Sequence, residues 1–369
     1  MVTIKEIAKH CNVSIATVSN IINGKPNASK ETKERVLQAI EELNYAPNYI
    51  AKNLKTRRTR TIGVVVEDIT VFCAPEIIDG ITKCCEEKGY HILLTNLRLY
   101  KKFGDSYYDN EKFFQMVRRE VKELIAKQVD GIVYVTAHER ALKCLPENLT
   151  VPASMAYGYT KSEHYPSVVV DDKKGAYEIV NYVISMGHKN IGVITGKERS
   201  IHTHDRLLGY QKALYDHSLF FNPDAIVEGG WTREGGYAAT DRLLEQKVTA
   251  IFCMNDIMAG GVYDRLEELG MIPGKDVSVV GFDNRELSNY YKPPLTTTAL
   301  PLYEIGYTAC ANVIEEVESG ESAETEKTEE NVTAASIKEQ GKNRSDQIVE
   351  IPESCKLLIR QSVKDIREA

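Results

Sequence analysis

The sequence predicts a small all-α head followed by an α/β body built from doubly wound parallel sheets in two lobes. Three observations carry that reading. Apolar residues in positions 1–46 recur at helical spacing between capping residues; a short basic stretch, 47–60, follows; and beyond it β-rich apolar runs alternate with amphipathic ones. About 300 of the 369 residues lie after the head, enough for two α/β lobes of ordinary size.

In the head, Thr3 and Glu6 form a Thr-x-x-Glu capping box, opening a helix with Ile4, Ile7 and Ala8 on one face. Asn12 and Val13 break it. Ser14 then caps a second helix over 15–22, which turns Val18, Ile21 and Ile22 inward and leaves Ile15, Ala16, Thr17, Ser19 and Asn20 available for contact. Two short helices joined so tightly present the second to a major groove. Ser29 caps a third helix in which Val36, Leu37, Ile40 and Leu43 close a miniature core, and Tyr45-Ala46-Pro47 ends it. The amphipathic run 48–55 is too short to hold a helix alone in water, and DNA is the partner expected to fold it.

Charge is partitioned to match. Residues 1–60 carry 11 Lys/Arg against 5 Asp/Glu, whereas the rest carries 35 against 48 within a chain of net charge −7. A basic head on an acidic body confines phosphate attraction to one end. A protein-binding three-helix module is the alternative, and it leaves the agreement of caps, turn and charge unexplained.

In the body, strands are predicted over 62–66, 91–95, 131–135, 154–157, 168–170, 191–195, 250–253 and 277–282. Helices are predicted over 75–88, 109–127, 173–186, 206–217, 234–245, 257–269 and 302–318. Ligands in such sheets bind beyond the carboxyl ends of the strands, so the segments after Val66, Tyr157, Thr195, Cys253 and Phe282 are where a site is sought. The 8 scattered cysteines lack metal-ligand spacing and read as reduced thiols. No apolar leader and no run of about 18 apolar residues is present, so the expected location is the cytoplasm, with no membrane partner.

Thr3-Ile-Lys-Glu-Ile-Ala-Lys, Val13-Ser-x-Ala-Thr-Val-Ser-Asn, Leu43-Asn-Tyr-x-Pro-Asn48 and Ala51-x-x-Leu54 resemble the head and hinge of the lac repressor/galactose repressor (LacI/GalR) family. In the body, Ser185-Met-Gly-His-Lys-Asn-Ile-Gly-Val-Ile-Thr-Gly196, Arg206-x-x-Gly-Tyr, Met254-Asn-Asp-Ile-Met-Ala259, Val279-Val-Gly-Phe-Asp-Asn284 and Pro294-Leu-Thr-Thr-Thr298 are similar to that family's motifs in order and spacing. The resemblance implies a homodimeric repressor that binds a pseudo-palindromic double-stranded operator and answers to a small effector, chiefly a carbohydrate, between two lobes like those of periplasmic binding proteins. It assigns Thr3, Ser14, Ile15, Ala16, Thr17, Asn20, Asn48, Leu54, Lys55 and Arg57 to DNA, with Leu54 wedging into the minor groove. It assigns Arg206, Trp231, Asn255 and Asp283 to the effector, with Phe72 and His202 as neighbours. That set suits a polyol: a carboxylate accepts from hydroxyls, guanidinium and amide donate, and the only tryptophan offers an apolar face.

The implied boundaries are a head at 1–46, a hinge at 47–60, a first lobe at 61–165 with 299–318, and a second lobe at 166–298 with 347–369. Two regions depart from the family: 97–116 is long and polar, and 315–346 is acidic and low in complexity, read as loosely ordered with a dispensable insertion at 319–346. His202, His204 and Asp205 form a partial metal set without further ligands nearby, so no metal or cofactor is expected. The pair Asp171-Asp172 reads as a helix cap. A solute-binding protein for sugar transport shares such a body but not the head, and an α/β enzyme needs a catalytic pair that the sequence does not display.

Overall fold

The computed structural model describes residues 2–22, 24–26, 28–45, 58–104, 106–146, 148–160, 165–329, 348–350 and 355–367. The chain divides into two compact units, Met1–Thr59 and Arg60–Ala369.

In the first unit, helix α1 (Ile4–His10) begins where the Glu6 carboxylate accepts the Thr3 N–H at 2.7 Å and the Thr3 hydroxyl at 3.0 Å. Asn12, at a left-handed φ of 50°, turns the chain. Ser14 Oγ accepts the Thr17 N–H at 3.0 Å to open α2 (Ile15–Ile22), and Ser29 Oγ accepts the Thr32 N–H at 3.3 Å to open α3 (Lys30–Glu42). Ile7, Ala8, Cys11, Val18, Ile21, Val36 and Ala39 form the core. Leu37, expected in it, is exposed, because residues 36, 40 and 43 share one helical stripe and 37 falls a sixth or more of a turn off it.

The second unit runs β1 (Thr61–Val66), α4 (Ala74–Lys88), β2 (His91–Asn96), α5 (Leu99–Phe103), α6 (Glu111–Ala126), β3 (Gly131–Val135), β4 (Ala141–Leu142), β5 (Ala153–Ala156), β6 (Tyr159–Thr160) and β7 (Ser167–Val169). It continues through α7 (Asp172–Ser185), β8 (Ile191–Thr195), α8 (Ile201–Asp216), β9 (Ile226–Glu228), α9 (Arg233–Glu245), β10 (Ala250–Cys253), α10 (Asp256–Glu268) and β11 (Ser278–Val280). The last elements are β12 (Thr297–Ala299), α11 (Leu302–Glu329), β13 (Ile348–Glu350) and β14 (Lys356–Leu358). One six-stranded sheet has the order β13-β7-β5-β3-β1-β2 and a four-stranded one β11-β10-β8-β9, and every pairing within them is parallel. Val and Ile runs bury both faces of β1, β3, β8 and β10, as parallel sheets covered by helices require. Two glycines lock α4 onto α11: a Cβ on Gly80 would lie 2.0 Å from the Tyr303 carbonyl oxygen, and one on Gly306 would lie 1.9 Å from that of Ile77.

Three expectations are corrected. The first sheet takes in β7 and β13, so 167–169 and 348–350 belong with the first lobe rather than the second, as their pairing with β5 and with each other dictates. Helix α8 starts at Ile201, five residues before its apolar periodicity becomes visible, and so includes His202. Helix α11 carries the acidic run on to Glu329; Val313, Ile314 and Val317 anchor it in the core, and Glu, Ala and Lys are strong helix formers. The remainder of the 319–346 insertion lies outside the described residues. In the long polar segment 97–116, Leu97, Leu99, Tyr107 and Phe113 are buried in a second cluster with Val117, Val121 and Leu124.

Candidate functional site

In the head, α2 presents Ile15, 45% exposed, beside the exposed Ala16 and the half-buried Thr17 and Asn20. Thr17 is fixed by Ser14, whose hydroxyl oxygen lies 2.9 Å from its own, so the surface is preformed. Thr3 is spent on the cap of α1. Asn48, Leu54, Lys55 and Arg57 lie outside the described residues.

In the body, the carboxyl ends of the strands converge on Arg206, which is 2% exposed. Its Nε donates to Asp172 Oδ1 at 2.7 Å, and its Nη1 donates to the Met254 carbonyl and, at 3.2 Å, to Asp283 Oδ1. The guanidinium lies 3.9 Å from the Phe282 ring centre and 5.7 Å from that of Trp231. Arg206, Trp231 and Asp283 are therefore in one place. Asn255 joins them by donating Nδ2–H to the Trp231 carbonyl at 3.3 Å while its Oδ1 caps α10 at Met258 N–H, 2.8 Å. Trp231 adopts φ 73°, and its indole lies so flat on Gly196 that a Cβ there would come within 1.9 Å of it. It is half-buried and packs against the core. Phe72, half-buried after β1, has its ring centre 4.3 Å from the Arg285 guanidinium.

His202 meets Asp172 through Nδ1 at 2.5 Å, and its ring lies 5.5 Å from that of Tyr157. Asp172 is the residue the sequence reading missed. Asp171 does cap α7, accepting the Lys174 N–H at 2.9 Å, but Asp172 points inward and pairs with both Arg206 and His202. Burial alone would raise the Asp172 carboxyl; Arg206 and His202 outweigh it and hold the group below its usual range. For Asp283 burial wins over Arg206, and its carboxyl rises. Burial likewise pushes Glu139, which follows β3, up to about 7. The nearest sequence signal for Asp172 was its position one residue inside a helix, where the helix dipole offered a simpler explanation.

Arg206 thus gives Nε and Nη1 to acceptors of the protein itself and frames Asp283 and Asp172. The cleft offers carboxylate acceptors, a backbone carbonyl and an aromatic face, the requirements for orienting a compact polyhydroxylated molecule.

A helix-turn-helix head ahead of two parallel-sheet lobes with such a cleft defines a ligand-responsive DNA-binding regulator. Residues 3–48 match the model for bacterial regulatory proteins of the lacI family, and residues 180–337 match that for a periplasmic binding protein-like domain. The chain is 35% identical to catabolite control protein A of Priestia megaterium, over 84% of this chain and 90% of that one. It is 32% identical to the HTH-type transcriptional repressor PurR of Vibrio campbellii, over 87% and 93%. The lac repressor bound to ONPG in its repressed state shares the fold with a TM-score of 0.72 at 24% identity, covering 98% of this chain and 99% of that one. The protein belongs to the LacI family and is a DNA-binding transcriptional regulator.

Proposed function

We propose that this regulator is a cytoplasmic homodimeric repressor, without enzymatic activity, whose two heads read a pseudo-palindromic operator under the control of a carbohydrate bound between its lobes. The observation that carries the effector half is the convergence of Asp283, Asn255 and Trp231 around Arg206 from four separate strand ends. A carboxylate beside an aromatic face selects a hydroxyl-rich ring over a lipid. Among the described residues, no helix is long and apolar enough to cross a membrane.

On the DNA side, Ile15 and Ala16 suit thymine methyl groups and Asn20 suits adenine, while Leu54, Lys55 and Arg57 are assigned to the minor groove and its phosphates. Asn20→Ala is expected to lose about 1–3 kcal/mol of operator binding and little binding to random DNA. Equal losses on both, in fluorescence-anisotropy titrations, would reduce Asn20 to a backbone contact. For the effector, a titration of mono- and disaccharides is read through Trp231, with no second tryptophan to confuse the emission. A saturable change identifies the sugar; silence across the panel, together with unchanged melting, would overturn the carbohydrate reading.

A further inference from the structure

Phe72 and Arg285 belong to different lobes and meet through their side chains. Phe72 follows β1 of the first sheet and Arg285 follows β11 of the second, each beyond the carboxyl end of its strand, where parallel α/β sheets bind ligands. The Arg285 guanidinium lies over the Phe72 ring, 4.3 Å from its centre. Such a contact occupies a face of the guanidinium and leaves its N–H donors, which radiate in the plane, available.

Among the described residues of the body, Arg118, Arg140, Arg265 and Arg360 are likewise half-buried, and the side chain of each donates to protein oxygens. The Arg285 side chain donates to none of the described residues and has no carboxylate at ion-pairing distance, although its backbone is anchored, the N–H donating to Asp256 Oδ2 at 2.6 Å. The nearby acids do not answer its charge. Burial pushes Asp256 up to about 8, so it keeps its proton at neutral pH, while Asp172 and Asp283 are both bonded by Arg206. The backbone supplies an independent sign: Asp283 and Asn284, immediately before Arg285, take left-handed φ values of 93° and 52°, and strain of this kind collects at ligand sites.

We propose that Arg285 is an anion anchor of the effector cleft and that the effector is an acidic carbohydrate, whose hydroxyls meet Asp283 while its phosphate or carboxylate meets Arg285. This rests on the carbohydrate reading of the cleft and narrows it. A planar guanidinium takes two oxygens of a phosphate or carboxylate through parallel N–H donors, and Phe72 already holds this one in place, so little further ordering is needed on binding. Arg206 is not available for that role in the same way: its Nε and Nη1 go to Asp172, the Met254 carbonyl and Asp283. Asp283 and Arg285, two residues apart, thus set a hydroxyl acceptor beside a free cation. A neutral sugar settling there buries the cation unanswered, whereas an acidic one pairs it.

The test titrates the full chain, as wild type, Arg285→Gln and Arg285→Lys, with glucose, fructose and ribose, each beside its terminal phosphate ester, and with glucuronate beside glucose. Binding is read by calorimetry and by Trp231 emission. At least one acidic member is expected to bind wild type about 10–100-fold more tightly than its neutral partner, and phosphate ester against glucuronate tells which anion the site takes. Arg285→Gln should erase that margin, and Arg285→Lys, which keeps the charge but not the fork, should recover part of it. If Arg285→Gln fails to fold by circular dichroism, Arg285→Lys decides, by losing most of the margin or keeping it whole. Neutral sugars that bind wild type as tightly as their acidic partners, or a margin that survives Arg285→Gln, would overturn the anchor and leave the carbohydrate reading standing. Silence of wild type toward every sugar overturns both.

Discussion

Each lobe holds an arginine near the carboxyl end of its sheet, Arg206 buried and Arg140 with 13% of its side chain exposed, and the two are wired differently. Arg140, after β3, gives two donors to the single carboxylate of Glu67, at 2.5 and 2.9 Å, and lies over the Tyr107 and Tyr108 rings at 4.9 and 5.5 Å. Glu67 is completed by the Tyr134 hydroxyl and the Ala137 N–H, each at 2.8 Å. Charge and hydrogen bonds close within one lobe. Arg206 instead answers two carboxylates, Asp172 and Asp283, with His202 and Glu139 at their edge. A balanced network is a fold element; one with surplus acceptors beside an aromatic wall is a binding element.

The largest expected effect breaks the balanced network. Glu67→Gln leaves the Arg140 guanidinium buried without its counter-charge, which costs about 3–5 kcal/mol. A urea melt should show that loss, with the stability of the isolated head fold and the identity of any effector unchanged. A loss below about 1 kcal/mol would mean that water reaches the pair and that the two arginines are not different in kind.

The next effect sharpens the contrast from the other side. Asp283→Asn keeps an oxygen for Arg206, which also retains Asp172, so stability should change little. Effector affinity should fall by about 1.5–3 kcal/mol, because hydrogen bonds to a charged acceptor are lost. Calorimetry giving equal affinity for wild type and variant would remove Asp283 from the site.

A third effect, read in the pH profile, concerns Asp256, a buried carboxylate with no guanidinium bonded to it among the described residues. Burial pushes it up to about 8, against hydrogen bonds from the Thr297 hydroxyl and the Arg285 N–H, both at 2.6 Å; Asp283 adds to the rise and Arg360 opposes it. The folded state therefore keeps a proton that the unfolded chain releases near pH 4, so this group's contribution to stability is full below about pH 4 and declines as pH rises to about 8. Asp256→Asn should flatten that part of the profile in melts taken between pH 5 and pH 8. A variant whose slope equals that of wild type would show that the carboxyl is already ionised across the range.

Much of this was legible in the chain and some was not, for identifiable reasons. The head and the long strands announce themselves through caps at Thr3, Ser14 and Ser29 and through Val/Ile runs that only two-sided burial explains. Trp231, Asn255 and Asp283 stood out through the family resemblance; Asn255 and Asp283 also follow or end predicted strands, whereas the short β9 before Trp231 was not predicted. Strands of three residues such as β13 and β14 have no periodicity to read; they exist because a partner strand is there. Glu139 and Asp172 were invisible as partners of His202, since only the fold brings the two lobes together. The acidic run after Glu315 was misjudged from composition, where its helix-forming residues and its apolar anchor at Val317 decided the outcome.

The central claim is that the unbalanced cleft around Arg206 controls the head. Operator affinity measured by anisotropy with and without a saturating effector, for wild type and Asp283→Asn, tests it most directly. The account predicts that the effector shifts wild-type operator affinity by about 5–150-fold and shifts that of the variant little at the same concentration, while both bind operator equally without it. An equal shift in the two proteins at that concentration, or an effector that binds wild type without moving operator affinity at all, would contradict it.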